Sequence, residues 1–328
     1  MKSLIIPVIS PVLPAENDLA TALRHGKITM NGAEWESWTE DIVNWAPQRF
    51  ADSCERLLGT FAGWASGVLV WWTTGEGIGL WPLQYRTLLA TMKRVCPSNI
   101  SLYAGVLGGD TVVEDQVRSA QSLGINNIVL GLNHTWNNIA RFRAAIWSLG
   151  TSWRLFLHNL PTFSPAEKKF ILSCLEDPRV VWFKDSSGDA RFFRWLLSLK
   201  KDKENFQVFH GIEPDYGRLS PKNFARVDGL VSYNANVHPA LLQVYTNNPR
   251  HKVHVHALNE LHKQISWISW RPRWSQIRDI EAHIHGIKRE LARLCISPNA
   301  PKVTILLPWY DALYSYKPWS LFQTYKGQ

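Results

Sequence analysis

The feature that most constrains this chain is a spacing. Eight short apolar or β-branched runs recur along it, at residues 4–9, 67–71, 100–106, 127–130, 154–158, 180–184, 206–210 and 229–233. Each has the length of a strand rather than a helix. From the second run onward they return about every 22 to 33 residues, the length of one strand, one helix and two short connections. Amphipathic segments fill the gaps. Residues 111–123 place Val112, Val113, Val117 and Ala120 on one face, and residues 165–175 do the same with Phe170, Ile171 and Cys174. This alternation predicts an α/β protein with parallel strands. Right-handed crossovers can close such a sheet at eight, so a (β/α)8 TIM barrel explains the count, with an open doubly wound sheet as the alternative.

The spacing also divides the chain. Residues 1–236 are read as the barrel, with a polar, Trp-rich insertion near 14–55 that exceeds what one crossover needs. After Tyr233 the strands stop. Residues 239–245, 253–268 and 274–294 carry helical patterning with nothing extended between them, which predicts a C-terminal helical extension over 237–328.

Composition narrows the function classes. The net charge is +9, but the Lys and Arg residues are scattered, with only Lys200, Lys201 and Lys203 concentrated, so no nucleic-acid partner is expected. Cys54, Cys96, Cys174 and Cys295 lie far apart and form no C-x-x-C pair, which fits a reducing cytoplasm and neither a zinc ribbon nor a disulfide framework. Pro7 and Pro11 interrupt the apolar start before a signal-peptide core forms, and no run is long enough to span a bilayer, so a cytoplasmic protein with no membrane partner is expected. The 17 Trp residues suit packing, subunit contact or an indole-floored pocket. His251, His254, His256 and His262 cluster, but no carboxylate or cysteine stands at ligand spacing, and no metal site is expected.

In such barrels the chemistry sits where the strands end. The sixth run is four apolar residues followed by Lys184, then Asp185-Ser186-Ser187-Gly188-Asp189. Burial disfavours an ammonium group, so the Lys184 pKa is expected to fall from about 10.4 toward about 7 to 8, where a neutral amine can attack a carbonyl. The other reading is a lysine that reaches the rim or pairs with Asp185. The second run ends in Thr73-Thr74-Gly75, hydroxyls and a glycine turn where a helix should start, suited to a carboxylate or to ordinary N-capping. The fifth ends in His158, which could move protons at the same mouth or serve as a hydrogen-bonded structural residue.

At these strand ends the sequence resembles the dihydrodipicolinate synthase and N-acetylneuraminate lyase superfamily of pyruvate-dependent class I aldolases. Thr73-Thr74-Gly75-Glu76 is similar to the family's G-T-T-G-E, His158-Asn159-Leu160-Pro161 to its Y-N-x-P, and Lys184 through Asp189 to its K-x-x-S/T-G-D/N. Weaker echoes are Ala104-Gly105, His210-Gly211 and residues 229–236. The resemblance implies that Lys184 forms an imine with pyruvate or the pyruvyl end of a 2-oxo acid. It implies that Thr73, Thr74 and Gly75 hold the carboxylate, with Gly211 and Tyr233 also lining the substrate site. It further implies a homo-oligomer, dimer or tetramer, with no metal or organic cofactor.

The departures are specific. His158 stands where the family has a proton-relaying tyrosine, with Tyr103 and Tyr233 as substitutes near other strand ends, and Trp72 replaces the first motif glycine. Phe163 stands where synthases carry a carboxylate-gripping arginine, and residues 131–136 replace the segment that lends a tyrosine across a subunit interface. The expected activity is therefore a carbon–carbon lyase cleaving a 4-hydroxy-2-oxo acid to pyruvate and an aldehyde, with Lys184, His158 and Thr74 catalytic. The alternatives are condensation of pyruvate with an aldehyde, dehydration of a 2-oxo sugar acid, or an inactive barrel that binds a 2-oxo acid.

Overall fold

The computed structural model describes residues 1–7, 47–70, 82–106, 110–132, 153–159, 168–203, 205–267 and 287. Its strands are β1 (Ser3–Pro7), β2 (Gly67–Val70), β3 (Ser101–Val106), β4 (Asn127–Leu132), β5 (Arg154–Asn159), β6 (Val180–Asp185), β7 (Gln207–His210) and β8 (Gly229–Val231). All pair in parallel in sequence order, and β8 returns to β1 through Ser3↔Gly229 and Ile5↔Val231, closing the barrel and excluding the open sheet. Every strand starts and stops within two residues of its apolar run.

Period-two alternation sorts each strand's side chains. Leu4, Ile6, Val68, Leu102, Ile128, Leu155, Leu157 and Phe183 face outward into one large apolar cluster beneath the helices. Ile5, Leu69, Val129, Phe156, Trp182, Phe209 and Val231 face inward and fill the barrel. Side chains of this size each stabilise the fold by about 1.5 to 3 kcal/mol when buried, so a one-residue slip of any strand would forfeit two cores together.

The surrounding helices are α1 (Pro47–Phe61), α2 (Pro82–Val95), α3 (Asp110–Ser122), α4 (Lys168–Leu175) and α5 (Ala190–Leu199). Two short helices follow β7, α6 (Glu213–Tyr216) and α7 (Pro221–Arg226). The first crossover helix begins inside the stretch read as an insertion, because Ala51, Cys54, Leu58 and Phe61 recur at helical spacing and are all buried. Beyond β8 come a 3-10 turn (Asn234–Asn236), α8 (Pro239–Asn247) and α9 (Lys252–Trp267). Helix α8 lies against β1, and its Gln243 Nε2 donates to the Lys2 carbonyl at 3.1 Å. No helix among the described residues is long and apolar enough to cross a membrane.

Candidate active site

The inward alternation of β6 that buries Trp182 also turns Lys184 inward, one layer higher and at the C-terminal end. The strand that follows the pattern Val-Val-Trp-Phe has no means of keeping that amine in water. Lys184 is 6% exposed, and burial alone lowers its pKa to about 7. No described carboxylate lies within ion-pair distance of it. Asp185 points the other way, as a strand neighbour must. Its Oδ1 accepts from Asn159 Nδ2 at 2.8 Å and from the Ser187 amide at 3.1 Å, and burial raises its pKa to about 6. The rim-reaching and Asp185-paired readings of Lys184 are therefore both excluded.

Space for the lysine comes from β7. The Gly211 amide donates to the Asp185 carbonyl at 2.7 Å, bringing the two chains close. A Cβ at position 211 would sit 2.7 Å from Lys184 Cε, and closer still to Ser186 Oγ. The glycine is required by packing, since its backbone is not in the left-handed region.

His158 stands directly opposite Lys184 in the β5–β6 register and is 2% exposed. Its Nε2 lies 2.9 Å from Ser186 Oγ. Burial, and then the Lys184 charge, hold the imidazole well below its ordinary pKa. It is a neutral hydrogen-bonding ring at neutral pH, able to relay a proton with Ser186 but weak as a free-standing base. Ser186 escaped assignment from sequence, although the signal was there: it shares strand parity with Lys184, two residues back.

The remainder of the Lys184 segment builds the turn into α5. Gly188 has a φ of +71°, the Asp189 amide donates to Ser187 Oγ at 3.1 Å, and Asp189 caps the helix by accepting from the amides of Arg191 and Phe192 at 2.7 and 3.2 Å. His210, pairing with Asp185 across β6 and β7, packs its ring on Phe193 and Tyr216 and accepts from the Ile212 amide through Nδ1 at 3.1 Å. Burial lowers its pKa to about 4, so it is a neutral core residue.

A second buried network brackets the β8 side. Glu213, at the start of α6, accepts from Ser232 Oγ and Asn234 Nδ2 and lies 3.1 Å from His262 Nε2 on α9. Burial would raise its pKa, yet His262, Ser232 and Asn234 together hold it below the ordinary carboxylate value. Tyr233, expected at the substrate site, follows β8 at this end of the barrel. Burial and the Glu213 charge push its phenol above the ordinary range, so it is a neutral hydrogen-bonding group. Asn236 Nδ2 donates to the carbonyls of Pro7 and Tyr233, fastening this segment to the end of β1.

Tyr103 does not substitute for the missing relay tyrosine. It sits one layer below Gly105 on β3, its hydroxyl bonds to Ser101 at the strand's start, and its ring occupies the place a Cβ at Gly67 would fill. Thr73, Thr74, Gly75, Trp72 and Phe163 lie outside the described residues. His251, just before α9, and His254 on it have ring centroids 4.5 Å apart, while His262 is engaged by Glu213.

A closed eight-stranded parallel barrel defines a (β/α)8 protein, and its β6 ends in a buried lysine with no carboxylate partner among the described residues. No family profile matches the sequence. The 4-hydroxy-tetrahydrodipicolinate synthase of Stenotrophomonas maltophilia is 29% identical over 203 residues, spanning 57% of this chain and 64% of that protein's length. Among solved structures, dihydrodipicolinate synthase from Bacteroides thetaiotaomicron superposes with a TM-score of 0.65 at 19% identity, covering 90% of this chain and 89% of that one. The 2-keto 3-deoxygluconate aldolase from Picrophilus torridus gives 0.62 at 17% identity, covering 89% and 92%. The chain is thus similar in sequence, over part of its length, to 4-hydroxy-tetrahydrodipicolinate synthases, and it shares the barrel fold of dihydrodipicolinate synthases and of the 2-keto 3-deoxygluconate aldolase.

Proposed function

We propose that the protein is a class I carbon–carbon lyase that cleaves a 4-hydroxy-2-oxo acid to pyruvate and an aldehyde. The observation that carries this reading is the Lys184 amine, buried without a carboxylate partner among the described residues and poised near neutrality beside Gly211. The Nζ adds to the C2 carbonyl and water leaves, giving an iminium that draws electrons from C3. Loss of the C4 hydroxyl proton through the His158 and Ser186 pair breaks the C3–C4 bond, releasing the aldehyde and leaving an enamine. A proton returns to C3, and water hydrolyses the iminium to pyruvate and free Lys184. The iminium is itself the electron sink, so the reaction as written needs neither metal nor organic cofactor.

Thr73, Thr74 and Gly75 are assigned to the substrate carboxylate, with Gly211 and Tyr233 completing the mouth. Phe163 favours cleavage over the synthase reaction, because no arginine stands there for a second carboxylate. The name of the Stenotrophomonas relative favours the reverse direction, condensation through the same enamine, which consumes pyruvate rather than releasing it. A homo-oligomer, dimer or tetramer, in the cytoplasm completes the proposal, and light scattering on the purified protein reads the assembly. The deciding experiment is incubation with pyruvate and borohydride followed by peptide mass analysis. A reduced pyruvyl adduct on Lys184 is expected, and an unmodified Lys184 peptide overturns the imine reading.

A further inference from the structure

The barrel has a second opening, at the N-terminal ends of its strands, and its chemistry differs from that of the mouth. Strand parity extends the inward face of the filled interior one layer downward. There β3, β4, β5 and β7 begin with Ser101, Asn127, Arg154 and Gln207, all polar and sharing parity with Tyr103, Val129, Phe156 and Phe209 above them. These residues line a cavity of about 830 Å³, within the range of small-molecule sites.

Its floor is aromatic. Trp182 packs on Phe156 and Phe209 with ring centroids 4.4 and 4.8 Å apart, and Tyr103 stands edge-on to Phe156 and Trp182 at 5.1 and 5.8 Å. Two local devices produce that floor. Gly67 leaves the room that the Tyr103 ring takes. The β5–β6 register also shifts between Leu155 and Phe156, so that Trp182 rather than Val181 pairs with Phe156 and enters the barrel. The plug separates this cavity from Lys184, which lies a layer above Trp182 on the same strand.

Its walls are cationic. Arg154, Lys200 and Lys203 face it, against one carboxylate, Asp228. Two of these cations are already committed. Lys200 binds Asp228 at 2.5 Å and the Arg226 carbonyl, and Lys203 binds the carbonyls of Leu175 and Asp177 at 2.7 and 3.1 Å, the usual work of lysines near helix ends. Arg154 is different: among the described residues its guanidinium has no hydrogen bond or ion pair. Its five donors belong to the cavity lining, beside the aromatic floor.

We infer that this N-terminal cavity is a second ligand site, taking a small molecule with an apolar body and one phosphate or carboxylate held by Arg154. The body lies against Tyr103 and Val181, the partly exposed apolar residues of the lining, and Gln207 supplies a neutral contact beside the anion. The site is independent of the proposed imine chemistry.

The test uses the full chain and isothermal titration with 1-naphthyl phosphate, with 1-naphthoate to separate phosphate from carboxylate and 1-naphthol as the uncharged control. Saturable binding of at least one anion is expected, with none for 1-naphthol. Arg154→Ala should weaken binding at least tenfold, as loss of a charge-assisted contact does. Gln207→Glu, which sets a carboxylate against the anion on an exposed strand end, should weaken it similarly and serves if the arginine variant folds poorly. Saturating pyruvate and Lys184→Ala should leave binding unchanged. The inference is overturned if neither anion binds, if both wall variants bind like the parent, or if pyruvate competes.

Discussion

Lys184 and Gly211 occupy one space: the lysine Cε lies where it does because position 211 has no Cβ, and any added carbon there would meet it at 2.7 Å. The pairing joins two strands, β6 supplying the amine and β7 the room for it. Gly211→Ala is expected to displace the side chain and abolish borohydride trapping while the barrel still folds. Far-ultraviolet dichroism with adduct mass analysis separates these effects, and an undiminished adduct would contradict the packing account.

The amine should set the pH dependence of imine formation. With a Lys184 pKa of about 7, the reactive neutral form falls about tenfold per pH unit below that value and saturates above it. Single-turnover trapping rates should therefore climb with pH and level off just above neutrality. Asp185, raised to about 6, is the other group near that range. Asp185→Asn should leave the inflection in place, and its disappearance in that variant would reassign the titration.

The same burial has a stability consequence of definite sign. The folded pKa of Lys184 lies below the unfolded value, so the unfolded chain binds the extra proton between the two and stability rises with pH across roughly 7 to 10.5. Below about 7 the lysine carries its full penalty, on the order of 5 kcal/mol for a shift of this size. Lys184→Met should accordingly stabilise the protein at pH 6 and do so progressively less toward pH 10, as read by urea unfolding. A pH-independent difference would show that the side chain is not buried as described.

Ser186 and His158 are predicted to act after the imine forms. Ser186→Ala removes the hydroxyl 2.9 Å from His158 Nε2 and leaves Lys184 untouched. Turnover should fall by about 10²-fold, in the usual range for a lost proton relay, with trapping by pyruvate retained. Loss of trapping and turnover together would make Ser186 a packing residue instead.

Glu213 is predicted to hold the β8 side of the mouth together. Its carboxylate satisfies Ser232, Asn234 and His262, and Glu213→Ala leaves all three without it, which should cost about 3 kcal/mol. Because its folded pKa is depressed, its stabilisation is complete above the ordinary carboxylate value of 4.5 and is lost as pH falls through the lower folded value. Acid unfolding of the parent and the variant should converge at low pH, and parallel curves would argue against an ionised Glu213.

How much of this was legible beforehand depended on range. Strand positions, the closed barrel, Lys184 and His158 at one mouth and the amine's depressed pKa could all be read from the chain, because each follows from local periodicity and from what ends a buried run. The start of α1 inside the supposed insertion could have been read too, from the spacing of Ala51, Cys54, Leu58 and Phe61. Tyr103 was misread because proximity to a strand's end says nothing of which layer the ring fills. That depended on Gly67, 36 residues earlier on the neighbouring strand.

The sequence by itself determined the alternation, and with it the fold and the lysine's burial, since hydrophobic period and strand parity are properties of contiguous residues. Only the tertiary structure decided which groups meet across strands: Gly211 beside Lys184, Ser186 against His158, Glu213 among Ser232, Asn234 and His262, and Arg154 with Gln207 around the cavity below the aromatic plug. Those contacts join residues tens of positions apart, and their geometry is fixed by barrel closure and register, which no single stretch of chain encodes.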